Sequence, residues 1–319
     1  MQLYIKSRAK IEGPRFASLF ITRKCNLTCP YCDSIKHDFK DLNTEEWKRV
    51  IDKLYSWGVR VFSLTGGEPT VRGDIEEIVS YISKEKKAIC WMISNFRTMK
   101  ESKIDKLADA GLDALTCSLD SLKEIGVKSD GKVLELLKYA RKRNILPFTL
   151  TVVTKNNIDE IKEIYRRVTS EGIIFDMGLF QNVGGIFSPS DDSLKVKDAE
   201  KLKDLRYFLR KEKLFWGRVA PSMSYLREDN HRYFNSCWKC PSEEDKYLVI
   251  NNDGRMMTCQ EFLEDVSILD MESLEDLRWR QSKKKTVEDC KGCFYGCYYQ
   301  KVESNTLDEA LGVYAILRA

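Results

Sequence analysis

Phe16-Ala17-Ser18-Leu19-Phe20-Ile21-Thr22-Arg23-Lys24-Cys25-Asn26-Leu27-Thr28-Cys29-Pro30-Tyr31-Cys32 opens on a largely apolar run, Phe16 to Thr22, and closes on three thiols spaced CxxxCxxC. The run predicts a buried strand, which puts the cysteines on the loop at its carboxyl end. Three close thiolates can hold a metal cluster and leave one coordination position open, whereas structural zinc or a closed iron-sulfur centre uses four protein ligands. The loop carries no fourth cysteine or histidine. His37 is the nearest candidate, and a zinc knuckle recruiting it is the alternative reading.

Outward from this stretch the chain alternates strand and helix. A helix capped at Asn43, with Glu46 three residues on, presents Trp47, Val50, Ile51 and Leu54 on one face and ends at Gly58. Val59 to Leu64 then leads to a helix over Asp74 to Ile82. Ala88 to Ser94 leads to a helix over Lys103 to Ala110, closed by Gly111, and Ala114 to Leu119 to one over Val133 to Arg143. Pro147 to Thr154 and Ile173 to Phe180 complete six strands, separated by a helix over Ile158 to Val168. A Gly, Pro and Ser-rich loop, Gly184 to Ser190, precedes a last helix over Ala199 to Lys211. Repeated βα units with near-continuous apolar strands predict an α/β fold with a parallel sheet covered by helices. Six units are too few for a closed eight-stranded barrel, so an open or partial barrel is expected, with functional groups at the strands' carboxyl ends.

Every strand ends in polar or glycine residues: Thr65-Gly66-Gly67-Glu68-Pro69, Ser94-Asn95, Ser118-Leu119-Asp120, Thr151 and Thr154, then Gln181-Asn182. All converge on the rim that carries the cysteine loop. Gly66 and Gly67 would let backbone approach a ligand closely, and Glu68 offers an acceptor to an ammonium group. Gln181, Asn182 and Glu261 are candidates for substrate contact by rim position.

At 319 residues, 43% hydrophobic and 32% charged, the chain has the size and composition of a globular enzyme. A net charge of +4 on 53 basic and 49 acidic side chains argues against nucleic acid, and the Lys283-Lys284-Lys285 patch reads as solvated surface. No stretch is apolar enough to span a membrane and no secretory segment opens the chain, so a soluble cytoplasmic protein is expected. Its 11 cysteines then read as metal ligands rather than disulfides, apart from Cys90 and Cys117, which read as core packing.

Cys25-xxx-Cys29-xx-Cys32 with aromatic Tyr31, followed by Gly66-Gly67-Glu68-Pro69, resembles the radical S-adenosylmethionine (SAM) superfamily over about residues 15 to 300. The resemblance implies a TIM-like partial (β/α)6 barrel and a 4Fe-4S cluster held by Cys25, Cys29 and Cys32, with the methionine amine and carboxylate of SAM on the fourth iron. Electron transfer would break the sulfonium C–S bond, giving methionine and a 5′-deoxyadenosyl radical that abstracts substrate hydrogen. It places Gly66, Gly67 and Glu68 at the methionine amine and Tyr31 beside the adenine. Ser94 and Asn95, Ser118 and Asp120, and Thr151 are implied as cofactor-binding strand ends. Related sequences often carry an arginine after the Ser-x-Asp element to pair with the carboxylate; residues 123–132 offer only lysines, with Lys123 or Lys128 as point charges. A flavodoxin- or ferredoxin-type electron donor is implied as well.

A second cysteine group comprises Cys237-xx-Cys240, Cys259 and Cys290-xx-Cys293-xxx-Cys297. Tyr247 to Ile250 and Arg255 to Thr258, joined through Asn252-Asp253-Gly254, predict a hairpin bringing Cys240 and Cys259 to one end; a zinc ribbon is one reading of it. The region resembles the SPASM and shorter twitch extensions that bind auxiliary iron-sulfur clusters. Two complete clusters need eight thiols and six are present, so one auxiliary 4Fe-4S cluster is expected, with Cys240, Cys259, Cys290 and Cys293 as first choice. Cys237 and Cys297 could replace members of that set, or support a second auxiliary cluster with an open site. The expected division is a barrel over residues 1–214, its core about 15–185, and a small cysteine-rich hairpin and helix domain over 215–319. His231 reads as a solvated loop residue.

The substrate is argued by exclusion. Sulfatase-maturing relatives place an aspartate directly after the equivalent of Cys259, whereas Gln260 stands here, and an amide cannot act as a base. Only 24 residues precede Cys25, short for a peptide-recognition domain, and Leu317-Arg318-Ala319 lacks the terminal glycine pair of the molybdenum-cofactor cyclases. A small-molecule substrate is expected, oxidised or joined by a new bond, with a peptide- or protein-modifying enzyme as the alternative. A zinc-stapled binding protein and a non-catalytic iron-sulfur electron carrier are the readings from other classes.

Overall fold

The run Phe16–Thr22 forms β1, buried along almost its whole length. It lies inside the sheet, with partners on both edges. The computed structural model describes residues 13–122, 132–188, 191–216, 245 and 247–293. After the cysteine loop comes α1, Thr44–Ser56, entered through the expected capping box. Asn43 Oδ1 accepts from the Glu46 amide at 2.9 Å and Glu46 Oε2 accepts from the Asn43 amide at 2.8 Å. Trp47, Val50, Ile51 and Leu54, at helical spacing, bury one face of α1 against the sheet. Gly58, at φ +110°, turns the chain into the next strand.

The remaining units follow the sequence reading with shifts of a residue or two. They are β2 (Val61–Gly66), α2 (Ile75–Ser80), β3 (Ile89–Ser94), α3 (Glu101–Ala110), β4 (Ala114–Ser118), α4 (Val133–Lys142), β5 (Leu146–Val153), α5 (Ile161–Ser170), β6 (Ile174–Leu179) and α6 (Ala199–Trp216). The second helix is shorter than expected because its chain loosens into a π turn over Tyr81–Glu85. None of the described helices is long and apolar enough to cross a membrane.

The sheet runs β6-β5-β4-β3-β2-β1, all parallel, an open six-stranded partial barrel that then continues in the order β7-β8-β9. The expected hairpin is present as β7 (Tyr247–Ile250) and β8 (Arg255–Met257), turned through Gly254 at φ +84°. The sequence reading had no place for its docking: β7 pairs in parallel with β1, from Phe16↔Tyr247 to Leu19↔Ile250. A third strand, β9 (Leu263–Ser267), and a helix, α7 (Leu277–Asp289), complete the described chain. Leu248, Ile250, Met256, Val266, Ile268 and Trp279 belong to one buried cluster with Trp47, Phe62 and Ile78. The described part of residues 215–319 therefore shares the barrel's core.

Polar contacts fasten the same junction. Lys53 Nζ, from α1, donates to the carbonyls of Ile268 (3.0 Å), Leu269 (2.8 Å) and Met271. Asn252 Nδ2 donates to Phe39 O at 2.9 Å and Asp41 Oδ1 at 2.7 Å. Lys283, expected in a solvated basic patch, is instead 2% exposed, with Nζ 2.6 Å from Asp245 Oδ1 and its charge over the Trp279 ring. Lys53→Met removes the ammonium and leaves three carbonyls to other partners. It should cost about 2 kcal/mol in denaturant unfolding and open the segment around Met271 to protease before the barrel yields. Equal resistance of the two proteins would contradict this role.

Candidate active site

The cysteine loop is fastened to the turn after β2 through the backbone. Gly67 N donates to Thr22 O at 2.7 Å and Glu68 N to Lys24 O at 2.8 Å, so the turn after β2 lies directly on the chain leading into Cys25. A Cβ at Gly66, where φ is +132°, would stand 2.2 Å from Thr22 O, and one at Gly67 would stand 2.1 Å from Lys24 O. The two glycines, read from sequence as room for a ligand, are thus first required by the close approach of the protein's own loop. Arg72 Nη1 adds a hydrogen bond to Ile21 O at 2.8 Å, while its Nε and Nη2 hold Asp74.

Glu68 is 1% exposed and joins β2 to β3. Its Oε1 accepts from Thr70 N (3.1 Å), Thr70 Oγ1 (2.6 Å) and Ser94 Oγ (2.8 Å), while Oε2 accepts from Asn95 N at 2.7 Å. With one donor on Oε2, that oxygen retains capacity for an ammonium. Asn95 Nδ2 donates to Asn26 Oδ1 at 2.8 Å and lies 3.7 Å from Cys25 Sγ, so the end of β3 reaches the first cysteine.

From the other side the loop is tied to β4. Tyr31 OH donates to Asp120 Oδ2, and Asp120 Oδ1 accepts from Val152 N at 2.8 Å. Burial first, then the Asp120 carboxylate and the Cys29 thiolate, hold the Tyr31 phenol well above its usual range, so it stays a donor at neutral pH. Ser118 is half-buried where β4 meets this bridge. Thr151 is 0% exposed and donates to Leu119 O at 2.6 Å, so it shapes the bend that aims Asp120 and reaches the rim only through that backbone.

Cys25, Cys29 and Cys32 are half-buried and not in disulfides. A turn from Cys32 N to Cys29 O (3.1 Å) shapes the loop, and Asp33 N donates to Phe187 O at 2.8 Å. His37, the zinc-knuckle candidate, spends Nε2 on Ile186 O at 2.8 Å and stacks on Phe39. Among the described residues no three His, Cys, Asp or Glu side chains gather as ligands of one ion must. Three cysteines on one loop, with a side-chain amide directed at Cys25 Sγ, fit a cluster whose cysteines bind different irons.

Cys259 sits in the turn between β8 and β9, and Cys290 follows α7. In both, the amide two residues on points at the sulfur: Glu261 N to Cys259 Sγ and Gly292 N to Cys290 Sγ, each 3.4 Å. Each sulfur is thus approached by a main-chain donor of its own loop. Cys293 is half-buried; Cys237, Cys240, Cys297, His231, Lys123 and Lys128 lie outside the described residues. Gln181 is buried, and Gln260 Nε2 donates to Tyr247 OH at 3.1 Å.

Two residues have roles the sequence did not disclose. Glu261, a rim candidate for substrate, is buried and clamps the 184–188 loop: Oε2 accepts from Phe187 N (2.9 Å), Ser188 N (3.1 Å) and Ser188 Oγ (3.3 Å). Arg23, 3% exposed, sits against Phe20 and Phe187, and burial lowers its pKa to about 10 despite the opposing influence of Cys32. A charged residue adjoining a buried strand was the available signal for it.

A family model for the radical SAM superfamily matches residues 19–168. GTP 3′,8-cyclase of Clostridium perfringens is 31% identical over 296 residues, 85% of this chain and 89% of the relative. PqqA peptide cyclase of Bradyrhizobium diazoefficiens is 32% identical over 171 residues, 50% of this chain and 44% of the relative, so the matched stretch spans about half of either. In fold, the chain is similar to Streptococcus suis SuiB bound to S-adenosylmethionine, with a TM-score of 0.67 at 18% identity over 93% of this chain and 76% of that one. The chain belongs to the radical SAM superfamily, whose cofactors are a 4Fe-4S cluster and SAM.

Gly67→Ala drives a Cβ into the Lys24 carbonyl, whereas a methyl group added at Gly73 would meet nothing within 4 Å. Gly67→Ala should lower iron content after anaerobic reconstitution several-fold and destabilise the fold. Gly73→Ala should retain full iron and stay within about 0.5 kcal/mol. Full loading of Gly67→Ala would contradict the clamp.

Proposed function

We propose that Cys25, Cys29 and Cys32 hold a 4Fe-4S cluster with an open iron for SAM, and that the enzyme takes a hydrogen atom from a small-molecule substrate to oxidise it or form a new bond. The observation that carries this reading is the loop of three thiols clamped onto the Gly-Gly-Glu turn at the strand rim. When bound and reduced, the cluster supplies the electron that splits SAM into methionine and a 5′-deoxyadenosyl radical. Around it, Gly66 and Gly67 shape the turn, and Glu68 Oε2 accepts the methionine ammonium. The Asn95 amide and Ser118 flank the cofactor, and Tyr31, fixed through Asp120, borders the adenine. Thr151 acts on this wall through Leu119 and Asp120.

An auxiliary 4Fe-4S cluster, with Cys240, Cys259, Cys290 and Cys293 as first choice and Cys237 and Cys297 as further donors, would bind substrate or pass on its electron. The amides directed at Cys259 and Cys290 support that assignment. Residues 1–214 then carry SAM chemistry and 215–319 the substrate end, on one continuous sheet. Sequence likeness to the GTP 3′,8-cyclase runs through both parts, whereas that to PqqA peptide cyclase covers half of the chain, and on sequence this supports a small molecule. A peptide remains the second reading because of that relative. Reduced thiols and need of a flavodoxin- or ferredoxin-type donor suit the cytoplasm.

Anaerobically purified protein should contain about eight irons, from two 4Fe-4S clusters, and form 5′-deoxyadenosine when given SAM and a strong reductant. Cys29→Ala should abolish cleavage, while Cys259→Ala should leave cleavage and lose product. Deuterium supplied in metabolites should pass into 5′-deoxyadenosine and deuterium in peptides should not; the reverse would establish the peptide reading. Stoichiometric zinc without cleavage would overturn the assignment.

A further inference from the structure

Arg23 leaves β1 two residues before Cys25 and brings a buried charge to the base of the cysteine loop. Its guanidinium carbon lies 4.7 Å from the Phe20 ring centre and 5.6 Å from that of Phe187. Nε and Nη2 both donate to Asn251 Oδ1, at 3.0 and 2.5 Å, and Nη2 lies 4.0 Å from Met257 Sδ. Nη1 is buried and has no partner among the described residues.

Among the described residues no carboxylate forms an ion pair with Arg23, and Asp253 and Glu261 act on it only through space. Asp253 is bound to Arg255, and Glu261 is occupied by Phe187 and Ser188. Among nearby anionic groups Cys32 acts on Arg23 most strongly. Asn251, Phe20 and Phe187 could hold a neutral side chain with less cost, since a buried cation without an anion is unfavourable. A cluster with three thiolates is itself anionic, and it gains one more negative charge when it accepts an electron from a one-electron donor protein. A guanidinium held in an apolar setting stabilises that added charge more than water does.

We propose that Arg23 is a positioning residue for the cluster, a buried cation at the base of the cysteine loop whose charge and uncommitted Nη1–H lie beside the anionic site and make its reduction easier. This rests on the cluster assignment proposed above. It makes Arg23, with Asn251 as its anchor, the link through which the β7–β8 ribbon sets the redox poise of the cysteine loop.

The test is a potentiometric EPR titration of reconstituted holoenzyme, following the cluster whose signal changes on addition of SAM. Arg23→Gln should move its midpoint to more negative potential, with at least a tenfold lower reduced-to-oxidised ratio at fixed potential, equivalent to about 59 mV for one electron. Arg23→Lys, which keeps the charge, should recover most of that shift. Wild-type holoenzyme grown on ¹⁵N-arginine needs no variant to fold, and pulsed EPR should detect a ¹⁵N coupling on the same signal. A midpoint unchanged in Arg23→Gln, or no ¹⁵N coupling in the wild type, would overturn the role of Arg23 while leaving the cluster assignment intact. Absence of any SAM-responsive signal would instead remove that assignment, and this inference with it.

Discussion

Gly67 and Lys24 meet with no space for a side-chain carbon between them, and the candidate site depends on that contact. It fixes the height of the cysteine loop over the sheet, because the amides of Gly67 and Glu68 bond to the carbonyls of Thr22 and Lys24. Once the turn is pinned there, Glu68 is directed at Ser94 and Asn95, and Asn95 reaches Cys25. Three consecutive strand ends are thereby coupled through one carboxylate. The Tyr31–Asp120 bond closes the arrangement from the fourth strand, so the loop is held from both sides.

β1 carries this arrangement because it is paired on both edges. On one side β2 supplies the clamp; on the other, β7 brings Asn251 under Arg23, and the turn between β8 and β9 carries Cys259. Glu261 links that turn to the 184–188 loop, whose Phe187 carbonyl accepts from Asp33 just after Cys32. A short chain of hydrogen bonds therefore connects the two cysteine regions. Such a connection suits a division in which one region starts a radical reaction and the other receives its outcome.

The parts of the fold that follow from local chemistry were legible in the sequence. Phe16–Thr22 declares itself by its apolar run, α1 by Asn43 and Glu46, and the hairpin by Asn252-Asp253-Gly254. Pairing of β7 with β1 was not, because a four-residue apolar run does not name its partner across more than two hundred residues. β9 was hidden by Glu264 and Asp265, acidic residues that weaken a strand pattern; Glu264 is buried because Thr258 and Ser282 donate to it. Lys283 misled in the same way, as its charge is answered by Asp245. The cysteines identified the chemistry, while the glycines beside them had a second function, self-packing, that only the geometry reveals.

The central claim is that the clamped thiols of Cys25, Cys29 and Cys32 hold a cluster to which SAM binds directly. The most direct measurement is electron-nuclear double resonance on a variant lacking Cys259, Cys290 and Cys293, reduced in the presence of SAM labelled with ¹⁵N and ¹⁷O in its methionine moiety. The account predicts hyperfine coupling from the labelled amine and carboxylate to the one remaining cluster. A reduced cluster whose spectrum is the same with labelled and unlabelled SAM would contradict it.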